Sequence, residues 1–568
     1  MQIVSLQSKK LNPSSMTNRI LFVIVFSIVS HLSFSQPALA WSLRYNGPPS
    51  QGDEAVSIAV DATGNSYVTG SAFAANGTLD IVTIKYSPSG QQLWLQSYNG
   101  TANGNDQGTK IVLDNAGNVY VTGYTNNNIT NGDITTIKYN ASGIQQWVSF
   151  YNGSFNNYDQ GNALSVDANG NVYVIGYETT SNYTYDFVTL KYNSAGVQQW
   201  AQTYDGPGNF NDEGRDIGLD VNGNVYVTGP SDTFYNAQPN EDIVLLKYNN
   251  SGVLQWRKVY DGPGHSYEWS KKLTIDKNND ILVVGYGWTA SGNGNDYIIL
   301  KWNPSGNFQW IRTYNFGTNT FENPADIITD SLNNVIVTGQ GITNASTDVT
   351  NDYVTVKYNS AGTFQWVSRY NGITHGDDRA TSVALDDSLC IYVTGFSQAT
   401  TGPSTFDIIT VKYDPAGNEM YTLRFNNASA NKDDAGNSIA IKNGDIYITG
   451  KSANLTNDDY ITLRYSYSAV GINEQQNGIN SFGVFPNPST SELHLSVSTA
   501  EISSTSPFTA TITNSLGQVV KKCNAVMTES VGSQSILSVD VSEFEMGIYL
   551  ITVLNDEKII GSSKFVVK

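Results

Sequence analysis

The chain has 568 residues with 31 Lys and Arg against 50 Asp and Glu, a formal charge of −19. That acid excess argues against a nucleic-acid or anionic-membrane partner. Two cysteines, Cys390 and Cys523, and four histidines are too few for a disulfide framework or a cysteine-based metal centre. Length alone would suggest three or four ordinary domains, a rule that internal repeats override.

Residues 1–40 read as a secretory signal peptide. Lys9, Lys10 and Arg19 precede an apolar run over 20–29 and the small-residue site Ala38-Leu39-Ala40. The run is about half the roughly 20 apolar residues that a membrane-spanning helix needs, and no other segment could span as a helix. Met16 offers a second start, and cleavage after Ser35 or after Ala40 fits the pattern equally well.

Three elements then recur. A Trp-x-x-x-Tyr unit starts at Trp41, Trp94, Trp147, Trp200, Trp256, Trp310 and Trp366, and Tyr421 takes the Trp place in the eighth copy. By subtraction the spacings are 53, 53, 53, 56, 54, 56 and 55 residues. Gly-Asn-x-Tyr-Val-Thr-Gly occurs at 64–70, 117–123 and 223–229, with variants in the other five units. An Asp followed five residues later by Lys or Arg completes the set, from Asp80/Lys85 to Asp459/Arg464. Each unit holds four short runs rich in Val, Ile, Thr and Tyr, in the first unit 56–60, 66–69, 81–86 and 93–98. Four strands per unit of about 40–55 residues, eight times over, specify an all-β, eight-bladed β-propeller. We label the strands a to d from the channel outward. The eighth unit supplies only a, b and c, ending near Tyr465, so the orphan strand Trp41 to Tyr45 is expected to complete it and remove a free edge.

These units, over residues 41–465, resemble the bacterial propeller repeats called SBBP repeats. The segment Ile84-Lys85-Tyr86-Ser87-Pro88-Ser89-Gly90-Gln91-Gln92-Leu93-Trp94 is similar to the tryptophan-docking motif of quinoprotein propellers, with Tyr86 where that family has Asp. The Trp row is therefore expected to pack one blade on the next. Quinone-cofactor chemistry is not expected, because that family's vicinal cysteine pair is missing around Cys390.

After Tyr465 the pattern stops. Residues 466–481 read as a polar linker and 482–568 as a small antiparallel β-sandwich. Phe485-Pro486-Asn487-Pro488, Leu516-Gly517-Gln518, Gly547-Ile548-Tyr549 and the final Lys568 resemble the type A C-terminal sorting domain of the type IX secretion system. The resemblance implies a bacterium of the Bacteroidota, the type IX machinery as a partner, and a secreted product that is released or held at the outer-membrane surface.

Chemistry is scarce. Outside the signal and the tail only His265 and His375 remain, both in d-to-a loops two blades apart, which disfavours a His-based nucleophile. No paired His or Cys spacing suggests zinc. One acidic residue precedes strand a in each unit: Asp53, Asp106, Asp159, Asp212, Glu268, Glu322, Asp377 and Asp433. Such a ring could hold Ca²⁺, but its presence in every blade favours turn capping or pairing with the repeated Lys/Arg. The least uniform segments are the b-to-c loops, which run from 71–79, through 230–241 and 286–295, to 340–351. Their aromatics Tyr183, Tyr185, Phe234, Tyr235, Tyr286 and Trp288 mark the candidate ligand face. The expectation is a secreted or surface-displayed interaction module for a glycan or protein, without catalytic residues or a cofactor. The alternatives are a His-independent polysaccharide-degrading enzyme and a structural surface or adhesion component.

Overall fold

In the computed structural model the described residues are 36–467 and 483–567, apart from short stretches at 49–50, 128–129, 209, 236–237, 289–293, 318–319, 345–347, 400–404, 428–429, 431, 486–488, 490, 499–507, 515–518, 532–533, 545–546 and 556–557. The apolar run of the signal-peptide reading and most of the linker lie outside them. The chain divides into two compact units, Met1–Tyr467 and Ser468–Lys568.

The first unit is eight four-stranded antiparallel sheets. Blade 1 runs Glu54–Val60, Ser66–Phe73, Leu79–Tyr86, Gln92–Tyr98, and the a strands of blades 2 to 8 are Gln107–Leu113, Gln160–Val166, Asp216–Leu219, Glu268–Ile275, Glu322–Thr329, Asp378–Leu385 and Asp434–Lys442. Each a strand packs on that of the next blade, and the eighth packs on the first, so the a strands form a ring. Ala38–Tyr45 supplies strand d of blade 8, pairing antiparallel with Asp458–Ser466 from Ala38↔Ser466 to Tyr45↔Tyr460. Closure is therefore made as the repeat phase requires, with a strand three residues longer at its start than the Trp41-to-Tyr45 expectation.

The repeated residues meet at the blade junctions. In the a–b hairpin of blade 1, Asp61 Oδ1 accepts the Thr63 and Asn65 amides at 2.9 and 3.0 Å, and its Oδ2 accepts the buried Tyr67 hydroxyl at 3.1 Å. Lys85 Nζ lies 4.8 Å from the Tyr67 ring centre. Trp94 leaves its own blade: its indole N–H donates to Ala141 O of blade 2 at 3.2 Å, between the Tyr67 and Tyr139 rings. Gly143 beneath it has φ +81°, and a Cβ there would lie 2.7 Å from the indole. The same indole-to-carbonyl bond recurs from Trp41, Trp147, Trp200, Trp256, Trp310 and Trp366, at 3.0–3.3 Å. Tyr421 replaces Trp for a topological reason. The blade it faces takes its d strand from the other end of the chain and so has no c–d loop, and Tyr421 meets Tyr467 instead, hydroxyl to hydroxyl at 2.5 Å.

The glycine closing Tyr-Val-Thr-Gly is explained by a bulge in strand a. Strand a approaches so closely that a Cβ at Gly123 would sit 1.8 Å from Gln107 O, and one at Gly70 2.0 Å from Glu54 O.

The second unit is a small β-sandwich joined into one seven-stranded sheet. Val519–Val531 pairs with Phe508–Asn514 at one end and with Gln534–Asp540 at the other, so it passes from one layer to the next. Leu493, Leu495, Leu537 and Val539 of one layer pack against Ala510, Ile512, Ile551, Val553 and Phe565 of the other. No helix of the described residues is long and apolar enough to cross a membrane.

Two substitutions should move stability in opposite directions. Gly123→Ala forces a backbone shift and should cost roughly 3 kcal/mol. Leu389 holds φ 62° in an a–b hairpin where blade 1 has Gly64, so Leu389→Gly should stabilise by about 1 kcal/mol. Chemical denaturation of the purified protein checks both signs.

Candidate functional site

In a meander the b–c and d–a connections share one face of the ring. Tyr183 stands on that face at the tip of the blade 3 b–c turn. It is 77% exposed with φ 61°, at the place where the same turn of blade 1 has Gly77. Tyr185 begins strand c beside it, and Tyr286 and Trp288 end strand b of blade 5. Phe234 and Tyr235 lie at the end of strand b of blade 4, opposite Pro239 and Gln238 in register, and their side chains fall outside the described residues. Much of the expected 230–241 and 340–351 loops is ladder: Val225–Tyr235 pairs with Gln238–Tyr248, and Val335–Asn344 with Asp348–Tyr358.

The structure brings Tyr185 into a group that sequence reasoning missed. Ring centres of Tyr124 and Tyr158 lie 4.8 Å apart, Tyr158 and Tyr177 6.2 Å, and Tyr177 and Tyr185 4.5 Å, a continuous run across blades 2 and 3. The Tyr158 and Tyr177 hydroxyls donate to Gln160 Oε1 at 2.8 and 3.4 Å, and Gln160 Nε2 donates to Asn162 Oδ1 at 2.8 Å. Polar and aromatic groups continue through the next two blades. Arg215 binds Glu213 at 2.6 Å and lies 5.2 Å from the Trp269 ring centre, and Lys271 lies 5.4 Å from that of Tyr286. Gln160/Asn162, Glu213/Arg215 and Trp269/Lys271 stand one and three places after the acidic residue of their blade. Their variability in an otherwise repeated frame, two residues apart, was the available signal.

The acidic residues before strand a cap the d–a turns. Asp53, Asp106 and Asp159 accept the Gly47, Gly100 and Gly153 amides at 2.6 Å and a strand-b amide (Phe73, Asn126, Thr179) at 2.8–2.9 Å. Asp212 takes the Gly206 amide at 2.7 Å, and Glu268 and Glu322 occupy the same place with buried carboxyl groups. In blades 7 and 8 the residues that do this are Asp378, from Gly372, and Asp434, from Asn427. They stand one position beyond Asp377 and Asp433, which instead accept the Asn351 and Phe406 amides at the start of the preceding blade's strand c.

Nor does this ring pair with the repeated Lys/Arg, which lies at the other end of strand c. Lys301 binds Asp276 at 2.8 Å, Lys357 binds Asp330 at 3.2 Å and Arg464 binds Asp445 at 2.6 Å, all on a–b hairpins. Its neighbours are the aspartates that open strand c of the preceding blade: Asp80 beside Asp106, Asp133 beside Asp159, Asp296 beside Glu322. Arginines of strand d answer two of these pairs, Arg424 on Asp407 at 2.6 Å and Arg44 on Asp459 at 3.5 Å. In blades 1 to 5 the same strand-d place holds Ser97, Phe150, Thr203, Val259 and Thr313.

Burial, with the neighbouring carboxylates, pushes these acids up. Asp106, Asp159 and Asp434 rise to about 6 against the pull of the amides they accept, Asp296 rises to about 6 against the Asn315 side chain, and Glu322 rises to about 7. Inside the channel Lys272 Nζ lies 3.9 Å from Asp216, and burial with the adjacent Lys272 holds Lys110 below an ordinary lysine. On the opposite face a 480 Å³ cavity opens between a–b hairpins, lined by Asp61, Tyr67, Lys85, Asp114 and Lys442. Several of these are repeat residues already engaged in the hairpin and junction contacts.

The raised acids set a pH dependence opposite to ordinary acid denaturation. Between about pH 4 and 7 the folded protein holds protons that the unfolded chain has released, so stability rises as pH falls. Melting temperature should climb from pH 8 to about pH 5, as read by calorimetry. A flat or falling profile over that window contradicts the carboxylate pairing.

Comparison with known proteins accords with this architecture. Residues 98–130 match the family model of a beta-propeller repeat, and residues 483–568 that of a secretion system C-terminal sorting domain. No curated protein sequence matches the chain. Among solved structures, the chain is similar to the beta-propeller domain of the Trilobed protease from Pyrococcus furiosus at 6% identity and TM-score 0.35, covering 68% of this chain and 97% of that one. It is similar to an alpha-L-arabinanase from Penicillium chrysogenum at 10% identity and TM-score 0.34, covering 52% and 93%. A protein of unknown function from Bacteroides caccae matches at 11% identity and TM-score 0.31, covering 56% and 95%. The chain is a secreted protein in which an SBBP-type β-propeller precedes a type IX secretion C-terminal sorting domain.

Proposed function

We propose that the propeller is a binding module without catalysis of its own, and that it takes a glycan on the b–c/d–a face of blades 2 to 5. The observation that carries this reading is Tyr183. A non-glycine residue in the left-handed region costs about 1–2 kcal/mol, and a large aromatic side chain left in water gains nothing from folding. Strain and exposure together at a loop tip are what a ligand contact repays. Beside it, tyrosine faces alternate with the amides of Gln160 and Asn162 and with Arg215. This is the mixture of flat apolar surface and directed hydrogen-bonding groups that suits a sugar ring. A second reading, a polysaccharide-degrading enzyme, draws on the Lys110, Asp216 and Lys272 cluster in the channel.

The test is a screen of the secreted chain against immobilised polysaccharides, following retention and the release of reducing ends. Retention without release supports the glycan-binding module. Release supports the enzyme, and the absence of both shifts the assignment to a protein partner or a structural surface role. Tyr183→Gly should weaken retention at least tenfold while raising stability by about 1 kcal/mol. A merely structural Tyr183 would move stability alone.

A further inference from the structure

The residue after the aromatic that ends strand d is asparagine in six blades: Asn46, Asn99, Asn152, Asn315, Asn371 and Asn426. In the other two it is Asp205 and Asp261, each followed by Gly-Pro-Gly. These two aspartates add a third carboxylate to the buried pair of their junction. Oxygens of Asp242, Asp261 and Glu268 all lie within 4.8 Å of one another, and so do those of Asp186, Asp205 and Asp212.

Buried carboxylate oxygens without a hydrogen bond recur at several junctions, those of Glu322 and Asp378 among them, but in these two clusters they stand beside a third acid. Glu268 is 0% exposed, and neither of its carboxylate oxygens receives a hydrogen bond. In blades 1 to 3 the aspartate at this place takes two amides; Glu268 stands beside Gly262 and in among the other acids. Asp212 keeps the Gly206 amide on Oδ2, but its buried Oδ1 has no partner. Nor does strand d offer a countercharge, since Thr203 and Val259 stand where Arg424 and Arg44 answer their pairs. Asp242 accepts Thr233 Oγ1 and Asn240 Nδ2 at 2.7 and 2.8 Å, and His265 Nδ1 meets Asp261 Oδ2 at 2.6 Å.

We propose that these are two calcium sites, one formed by Asp242, Asp261 and Glu268 between blades 4 and 5, the other by Asp186, Asp205 and Asp212 between blades 3 and 4. The donors are all oxygen and all anionic, which suits a hard cation that takes six to eight oxygen ligands, with water filling the remainder. Magnesium, which needs a near-ideal octahedron and keeps its own water, fits a buried three-carboxylate corner less well. The exposed Asp205 and Asp261 give the ion its entry. The proposal is independent of what the loop face binds.

The test is calorimetric titration of the full secreted chain, stripped with EDTA, using CaCl₂ at pH 7.5. Two ions per chain are expected, with affinity of about 10⁻⁴–10⁻³ M, as is usual for extracellular modules. Asp261→Asn and Asp205→Asn restore the residue found in the other six blades, so the fold is retained. Each should remove one ion, and the double variant both. Calcium should raise the melting temperature of the parent and leave the double variant unmoved, while in EDTA the double variant should melt above the parent because a like charge is gone. No calcium-dependent heat in the parent, or unchanged stoichiometry in the double variant, would overturn the proposal.

Discussion

Everything in the propeller depends on one junction repeated around the ring. At seven of the eight contacts an indole from strand d lies on the c–d loop of the next blade and donates to a backbone carbonyl there. Burying an indole removes about 150–250 Å² of apolar surface from water, and no single blade has a partner for it. The blades are therefore stable only as neighbours, and the ring must close. Ala38–Tyr45 closes it: Trp41 docks on blade 1 while its own strand is held by blade 8. Tyr447 and Tyr460 of blade 8 reach the Gly64 and Val82 carbonyls of blade 1, so the seam is bonded on both sides of the sheet.

With the a–b/c–d ends committed to docking, the opposite face is free to vary. There the repeat leaves a ring of buried carboxylates that cap turns and face a second ring from the preceding blade. Where arginine answers the pair, the junction is ordinary structure. Blades 2 to 5 depart from the repeat in the same region. They lack the arginines, carry the tyrosine run and the Arg215–Trp269 and Lys271–Tyr286 contacts, and add a third acid at two junctions. Function is assigned to these departures because a contact present in every blade serves the ring.

Much of this was legible in the sequence. Fifty-odd-residue spacing and the phase of the Trp row fixed blade number and closure, because docking demands one indole per junction at constant separation. The tail was equally plain from its short motifs. What failed was local. Asp377-Asp378 and Asp433-Asp434 are adjacent acids, and only the amide reaching back from Gly372 or Asn427 distinguishes the capping residue from its neighbour. The pairing of two acidic rings was hidden because partners such as Asp80 and Asp106 belong to different blades. The candidate aromatics were sought in loops, whereas Tyr124, Tyr158 and Tyr177 are brought together by adjacent blades and sit in strands or beside them. Tyr183 was visible as a candidate, and the repeat sets it against Gly77, each three residues before the strand-c Asp, but the left-handed backbone that this match implies was not read from it.

Hydrogen exchange on the intact secreted protein tests the closed ring most directly. Amides of 41–45 should exchange as slowly as those of 92–98, the strand d of blade 1, because both are laddered to a buried strand c. Fast exchange of 41–45, at the rate of an unstructured segment, with 92–98 still protected would contradict closure by the N-terminal strand.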